Sequence, residues 1–94
     1  WFGSEVGKSL DNADRAYAAE TVQNSMESNR TGQTSTWRNP DSGHAGSFTP
    51  TRTYQMASGQ YCRDFETTID IDGQAEAATG RACRDDAGNW RIVQ

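Results

Sequence analysis

The two cysteines of this chain, Cys62 and Cys83, stand at equal distances from an Asp72-Gly73 dipeptide, ten residues before the aspartate and ten after the glycine. Asp-Gly favours a type I′ hairpin turn, because that turn needs positive φ at both central residues. Counting outward pairs Ile71 with Gln74 and, nine steps on, Cys62 with Cys83. The pair flanking a two-residue loop is hydrogen-bonded and the pairs then alternate. The cysteines therefore fall on a non-hydrogen-bonded pair, whose short Cα separation suits a disulfide. The symmetry predicts a long antiparallel hairpin bridged at its open end, in a protein of an oxidising compartment.

The rest of the composition makes that bridge valuable. Ninety-four residues form one small domain, which buries only roughly 60 to 65% of the surface its unfolded chain exposes. Leu10 is the only leucine, beside three isoleucines and three valines, a branched-aliphatic content near that of disordered chains. Nine aromatics partly compensate. The net charge of −4, with Lys8 the only lysine and eight arginines scattered singly, excludes the clustered cations that nucleic acid requires. No apolar run approaches the roughly 20 residues of a membrane span. The chain begins at Trp1 rather than Met and shows no signal peptide, so a mature or trimmed fragment is expected.

Along the chain, Gly3 and Gly7 stand four apart beside Phe2 and Val6, a G-x-x-x-G spacing that lets apolar helices approach closely. Residues 1–8 read either as a flexible leader or as the tail of a glycine-zipper helix. Residues 9–28 read as a helix, with Asp11 capping the first turn and Ala13, Ala16, Ala18 and Ala19 as strong formers. Ala19, Val22 and Met26, with Tyr17 beside them, make a modest stripe to dock on a sheet. Gly32 lies near the place of a left-handed C-cap. Short strands follow over residues 33–38, 47–56, 61–71, 74–84 and 89–93, with Pro40 presetting a turn and Pro50 confining its strand to an edge or an irregular stretch. The expected fold is α+β, an N-terminal helix packed on an antiparallel β-meander of four to five strands with one disulfide, in a single domain over residues 9–94.

The register that pairs the cysteines places them on the face opposite Phe65 and Ile69, because side chains alternate with period two. Either both faces of the sheet are partly covered, or a bulge shifts the register. In the simple register Phe65 faces Gly80, so its ring can lie over the neighbouring backbone, and Asp64 faces Arg81 as an ion pair.

The inventory for catalysis is poor. His44 is the only histidine, set among glycines in a loop where a solvated side chain is expected, and no G-x-S-x-G elbow accompanies it. Two cysteines and a distant histidine cannot complete a structural zinc shell. Asp70-Ile71-Asp72-Gly73 lacks the further ligands of a calcium loop and reads as a turn. No metal, cofactor or catalytic residue is expected. Asn29-Arg30-Thr31 fits a glycosylation acceptor, expected to be unmodified. Trp37, Tyr54, Tyr61 and Trp90 read as core rather than as a ligand platform.

Several phrases carry a resemblance: Trp37-Arg38-Asn39-Pro40-Asp41-Ser42-Gly43, Phe48-Thr49-Pro50, Tyr61-Cys62-Arg63, Gly80-Arg81-Ala82-Cys83-Arg84 and Gly88-Asn89-Trp90. With them, most of residues 9–93 resembles the C-terminal domain of the seventeen-kilodalton surface-antigen family of bacterial outer-membrane lipoproteins. In that family a lipidated N-terminus and a glycine zipper precede the domain, and residues 3–11 look like the end of such a zipper. The resemblance favours the zipper-tail reading of Gly3 and Gly7. It implies a structural role for Trp37, Arg38, Asn39, Pro40, Gly43, Arg63, Gly80 and Trp90. It also implies a non-enzymatic protein of the cell envelope at the outer membrane, periplasmic or surface-facing, with an unidentified envelope partner. Membrane association would come only through the missing N-terminal part, with a homo-oligomer possible in the parent. The alternative is a small disulfide-bonded periplasmic inhibitor or ligand-binding module, for example one acting on lysozyme through an exposed loop carrying His44 or Ser58.

Thiol labelling of the denatured, unreduced protein is expected to find no free cysteine. Closing a loop of about 22 residues is worth roughly 3 kcal/mol by chain entropy, so reduction should lower Tm by more than about 10 °C in a scanning melt.

Overall fold

The structure, a computed structural model, describes residues 7–93. A 3-10 turn, Gly7–Ser9, leads into helix α1, Asn12–Ser28. Five strands follow: β1 Ser35–Arg38, β2 Ala45–Gln55, β3 Tyr61–Ile71, β4 Gln74–Arg84 and β5 Trp90–Val93. They pair antiparallel in chain order, giving the meander that the sequence predicts, with all five strands in one sheet. Gly3 lies outside the described residues, and Gly7 is buried in the 3-10 turn.

The Asp72-Gly73 turn has φ of 53° and 81°, both positive as a type I′ turn requires. From it the β3–β4 ladder runs without a shift from Ile71 opposite Gln74 to Cys62 opposite Cys83. The two cysteines are bonded, with Cα atoms 4.0 Å apart. The irregularity lies elsewhere, between Pro50 and Arg52 in the β2–β3 ladder. Pro50 has no N–H for the ladder, and its carbonyl accepts from the Gly32 N–H at 2.7 Å.

Both faces of the sheet are covered near the disulfide. Helix α1 lies on the face carrying Phe65, Thr67, Ile69 and Ile71, all buried. On the other face Tyr54, directly opposite Cys62, is flanked by Arg52 and Arg81, whose guanidinium carbons lie 4.7 and 5.5 Å from its ring centre. Its hydroxyl donates to Asp64 at 2.9 Å, and Arg81 meets Asp64 at 3.6 Å, the ion pair the register predicts. Toward the hairpin turn this second face is a solvated row of small side chains. Thr36, Ser47, Thr68 and Ala77 stand side by side across β1 to β4, and the Ser47 and Thr68 hydroxyls bond at 2.6 Å.

Two apolar clusters fill the space under the helix. One joins Val22 and Met26 to Phe48, Phe65, Ala82 and Trp90, with the Phe48 and Phe65 rings stacked at 4.6 Å. The other joins Ala18 to Leu10, Trp37, Ile69 and Ile71. The docking stripe of the helix is Ala18, Val22, Ser25 and Met26 with Asp14 at its head, so Ala19 and Tyr17 are exposed, contrary to the sequence expectation. The predicted stripe followed apolarity alone, whereas the buried face starts from a carboxylate. Tyr54 and Tyr61 are likewise not core, Tyr54 half-buried on the second face and Tyr61 52% exposed.

The Phe65 ring lies on the backbone of Gly80: a Cβ there would come within 2.7 Å of Phe65 Cζ. Phe65 is fully buried and cannot swing away. Gly80→Ala is therefore expected to destabilise the protein by about 1–3 kcal/mol in urea melts, despite the better strand propensity of alanine. In a Phe65→Leu background that penalty should shrink.

Candidate functional site

Helix α1 presents a charged group to the sheet at its N-terminal end and receives one at its C-terminal end. Asp11 is the N-cap. Its carboxylate accepts from the Asp14 N–H at 2.7 Å, and the Asp14 carboxylate accepts from the Asp11 N–H at 3.1 Å, a reciprocal capping box. Asp14 is fully buried, so its remaining acceptor capacity must be met by protein. The β1–β2 loop meets it. Asn39 Nδ2 donates at 2.8 Å, Ser42 Oγ at 2.6 Å, and His44 Nδ1 lies 2.7 Å from the second carboxylate oxygen.

The loop is folded to aim these three side chains. The Asn39 N–H donates to the His44 carbonyl and the Gly43 N–H to the Asn39 carbonyl, while Asn39 Oδ1 accepts from the Asp41 N–H. Asn39 is buried, and Pro40 and Arg38 are exposed beside it. Trp37 lies across the backbone of Gly46, its neighbour on β2. His44, expected to be solvated, is instead 13% exposed, with Nδ1 on Asp14 and Nε2 3.8 Å from Asp72 of the hairpin turn. The signal that could have found this cluster is the acidic residue three positions after the Asp11 cap, because a second carboxylate at that position closes a capping box.

Burial by itself pushes the Asp14 carboxyl up. The bonds from Ser42, His44, the Asp11 N–H and Asn39 outweigh it and leave the carboxyl well below its usual range. The bond to Asp14 raises the pKa of His44 above its ordinary 6.5, against the opposing effect of burial. Chemically the cluster locks one buried charge between the helix and the loop. Ser42 spends its hydroxyl on the carboxylate rather than on the imidazole, and that carboxylate is held in its charged form by its other donors.

At the other helix end Arg63, buried on β3, reaches the last turn. Nη1 donates to the Ser25 and Met26 carbonyls at 3.3 and 2.7 Å, Nη2 to the Asn29 carbonyl at 2.7 Å, and Nε to Thr53 Oγ1 at 2.9 Å. A cation among the orphan carbonyls complements the helix dipole. This also explains why Gly32 is not the C-cap: Asn29 ends the helix with extended backbone at φ −77°, and Gly32 bonds to Pro50. Beside Arg63, a groove of about 550 Å³ is lined by Met26, Arg30, Thr53, Tyr61, Arg84 and Trp90. Trp90 Nε1 donates to Glu27 Oε2 at 3.0 Å, and Arg84 pairs with the same carboxylate. Gln23 brackets the Trp90 backbone, donating to its carbonyl at 2.8 Å and accepting from its N–H at 3.1 Å. Among the described residues no group of three or more His, Cys, Asp or Glu side chains is arranged to hold a metal ion, and no helix is long and apolar enough to cross a membrane.

The β1–β2 loop, Arg63 and Trp90 lie within a region recognised across proteins. The sequence model of a family described as 17 kDa outer membrane surface antigen matches residues 24–91. The chain belongs to this family. A 17 kDa surface antigen of Rickettsia bellii is 38% identical over 90 residues, covering 96% of this chain and 57% of that protein. Its counterpart in Rickettsia conorii is 42% identical over 84 residues, covering 89% and 53%, and that of Rickettsia prowazekii is 41% identical over 83 residues, covering 88% and 52%. The chain thus spans about half the length of the curated surface antigens it matches. No solved structure matches it.

The Asp14–His44 pair predicts a stability profile with two limbs. Asp14 has a lowered pKa, so its contribution is complete above its ordinary 3.8 and is lost as the pH falls below it. His44 has a raised pKa, so its contribution is complete below 6.5 and is lost as the pH rises through its elevated value. Urea melts should show greatest stability between these two values. Asp14→Asn should cost about 3 kcal/mol or more and abolish both limbs, whereas His44→Gln should remove the alkaline limb alone.

Proposed function

We propose that this chain is a non-enzymatic domain of the bacterial cell envelope, with a structural or partner-binding role at the outer membrane. The observation that carries the reading is its membership of the surface-antigen family, whose relatives bear that name over nearly the whole of this sequence. The site supports it. The side chains from which hydrolytic chemistry could be assembled, Asp14, Ser42 and His44, are bonded to one another in an arrangement that fastens a loop to a helix. In this reading Trp37, Arg38, Asn39, Pro40, Gly43, Arg63, Gly80 and Trp90 serve the fold, and no cofactor takes part.

Membrane association is proposed to reside in a lipidated, glycine-zipper segment ahead of this domain, with Gly3 and Gly7 at its end. The matched region is little more than half of each relative, which leaves room in them for such a segment. A second reading, an inhibitor or ligand-binding module, draws support from the exposed turn at Ser58. It is held by the Met56 N–H on the Gln60 carbonyl and the Gly59 N–H on the Met56 carbonyl, a compact protrusion of the kind that enters a cleft.

Fractionation of bacteria producing the full-length parent is the test. The protein is expected in the outer-membrane fraction, and recovery in the cytosol would reject the envelope reading. Retention of the domain on immobilised lysozyme would favour the inhibitor instead, and turnover lost in a folded His44→Ala variant would reject the non-enzymatic assignment.

A further inference from the structure

Strand β4 runs from Gln74 to Arg84, but β5 covers only its later part, pairing with Arg81 to Arg84. Pairing types alternate outward from the Asp72-Gly73 turn, so Gln74, Glu76, Ala78 and Gly80 turn their backbone groups to β3. Ala75, Ala77 and Thr79 turn theirs the other way, onto an edge that no described strand covers. All three are exposed.

The stretch of β2 that β1 leaves uncovered on the opposite side of the sheet is guarded. Where β2 extends past β1 it carries Pro50, a bulge and Arg52. Thr31 and Gly32 lie across it, bonded to Thr53 Oγ1 and the Pro50 carbonyl. Proline, bulges, charges and covering loops are the devices by which sheets avoid edge-to-edge pairing. Between Ala75 and Thr79 the only one present is Glu76.

We propose that this open stretch pairs with the same stretch of a second copy, antiparallel about a two-fold axis at Ala77, joining two five-stranded sheets into one of ten strands. The register follows from chemistry. An axis at Ala77 sets Ala77 against its counterpart and Ala75 against Thr79 of the second copy, so all three free residues of each chain find hydrogen-bonded partners. Glu76 then faces Ala78 of the second copy. An axis at Glu76 would set two glutamates directly opposite, which is repulsive, and an axis at Ala78 would drive Ala75 against Arg81, where β5 already sits. Charge favours the same arrangement. The turn end of the hairpin carries Asp70, Asp72 and Glu76, while Arg81, which meets Asp64 through Nε at 3.6 Å, lies opposite the end of β5. Antiparallel pairing brings the acidic turn of each copy toward Arg81 of the other.

Analytical ultracentrifugation of the 94-residue chain tests this at about 100 µM, where even a micromolar affinity leaves mostly dimer. Twice the 10.3 kDa of one chain is expected. Ala77→Pro, which removes an N–H that β3 does not use, should return the single-chain mass with the circular dichroism and the disulfide intact. Ala77→Cys should cross-link on oxidation, because facing residues of a hydrogen-bonded pair stand about 5.5 Å apart at Cα. Ala78→Cys, which faces Glu76 of the second copy, should not. A single-chain mass for the unmodified protein, a doubled mass that survives Ala77→Pro, or equal cross-linking of Ala77→Cys and Ala78→Cys would each overturn the proposal. Should Ala77→Pro fail to fold, the cross-linking pair decides.

Discussion

A helix laid against a sheet must find partners for the backbone groups left over at both its ends, and in this small domain those partners are charged and buried. Asp14 at the first turn and Arg63 at the last have signs that complement the helix dipole. Neither belongs to a simple ion pair. Asp14 draws on the β1–β2 loop through Asn39, Ser42 and His44, and Arg63 draws on three carbonyls and Thr53. A buried charge whose partners are removed is far more costly than one never buried. The helix therefore has one seating on the sheet, although its apolar stripe is short and largely alanine, valine and methionine.

The same logic explains how so few aliphatic residues suffice. The two clusters under the helix each rest on a tryptophan, Trp37 at one end and Trp90 at the other. Each tryptophan is fixed by its surroundings, Trp37 by lying across Gly46 and Trp90 by bonds to Glu27 and Gln23. Large rings of fixed orientation bury area without the rotamer choices that many small aliphatic side chains would have to give up. The disulfide, beside Tyr54 on the second face, ties β3 to β4 where the hairpin opens.

The β3–β4 hairpin was legible in the sequence to the residue, because Asp72-Gly73 dictates a turn type and the turn type dictates a register. The helix was legible in type, and its cap in position. The buried face of the helix was not: with alanines at 13, 16, 18 and 19 the apolar pattern allows more than one face, and the choice is made by Asp14, a residue that pattern-reading assigns to solvent. The His44 site was hidden for a related reason. Its partners come from positions about 30 residues apart, and only the folded β1–β2 loop brings them together. Gly32 looked like a C-cap because sequence shows glycines but does not show that an arginine from β3 has already taken the carbonyls.

The row formed by Thr36, Ser47, Thr68 and Ala77 is a surface that exists only in the folded sheet. Four strands contribute one side chain each, so a molecule that covers this patch reads positions scattered over nearly half the chain. No linear peptide reproduces it. A surface of this kind is lost on denaturation, whereas the turns at Ser58, Asp72-Gly73 and Asp86 are short continuous segments of the chain.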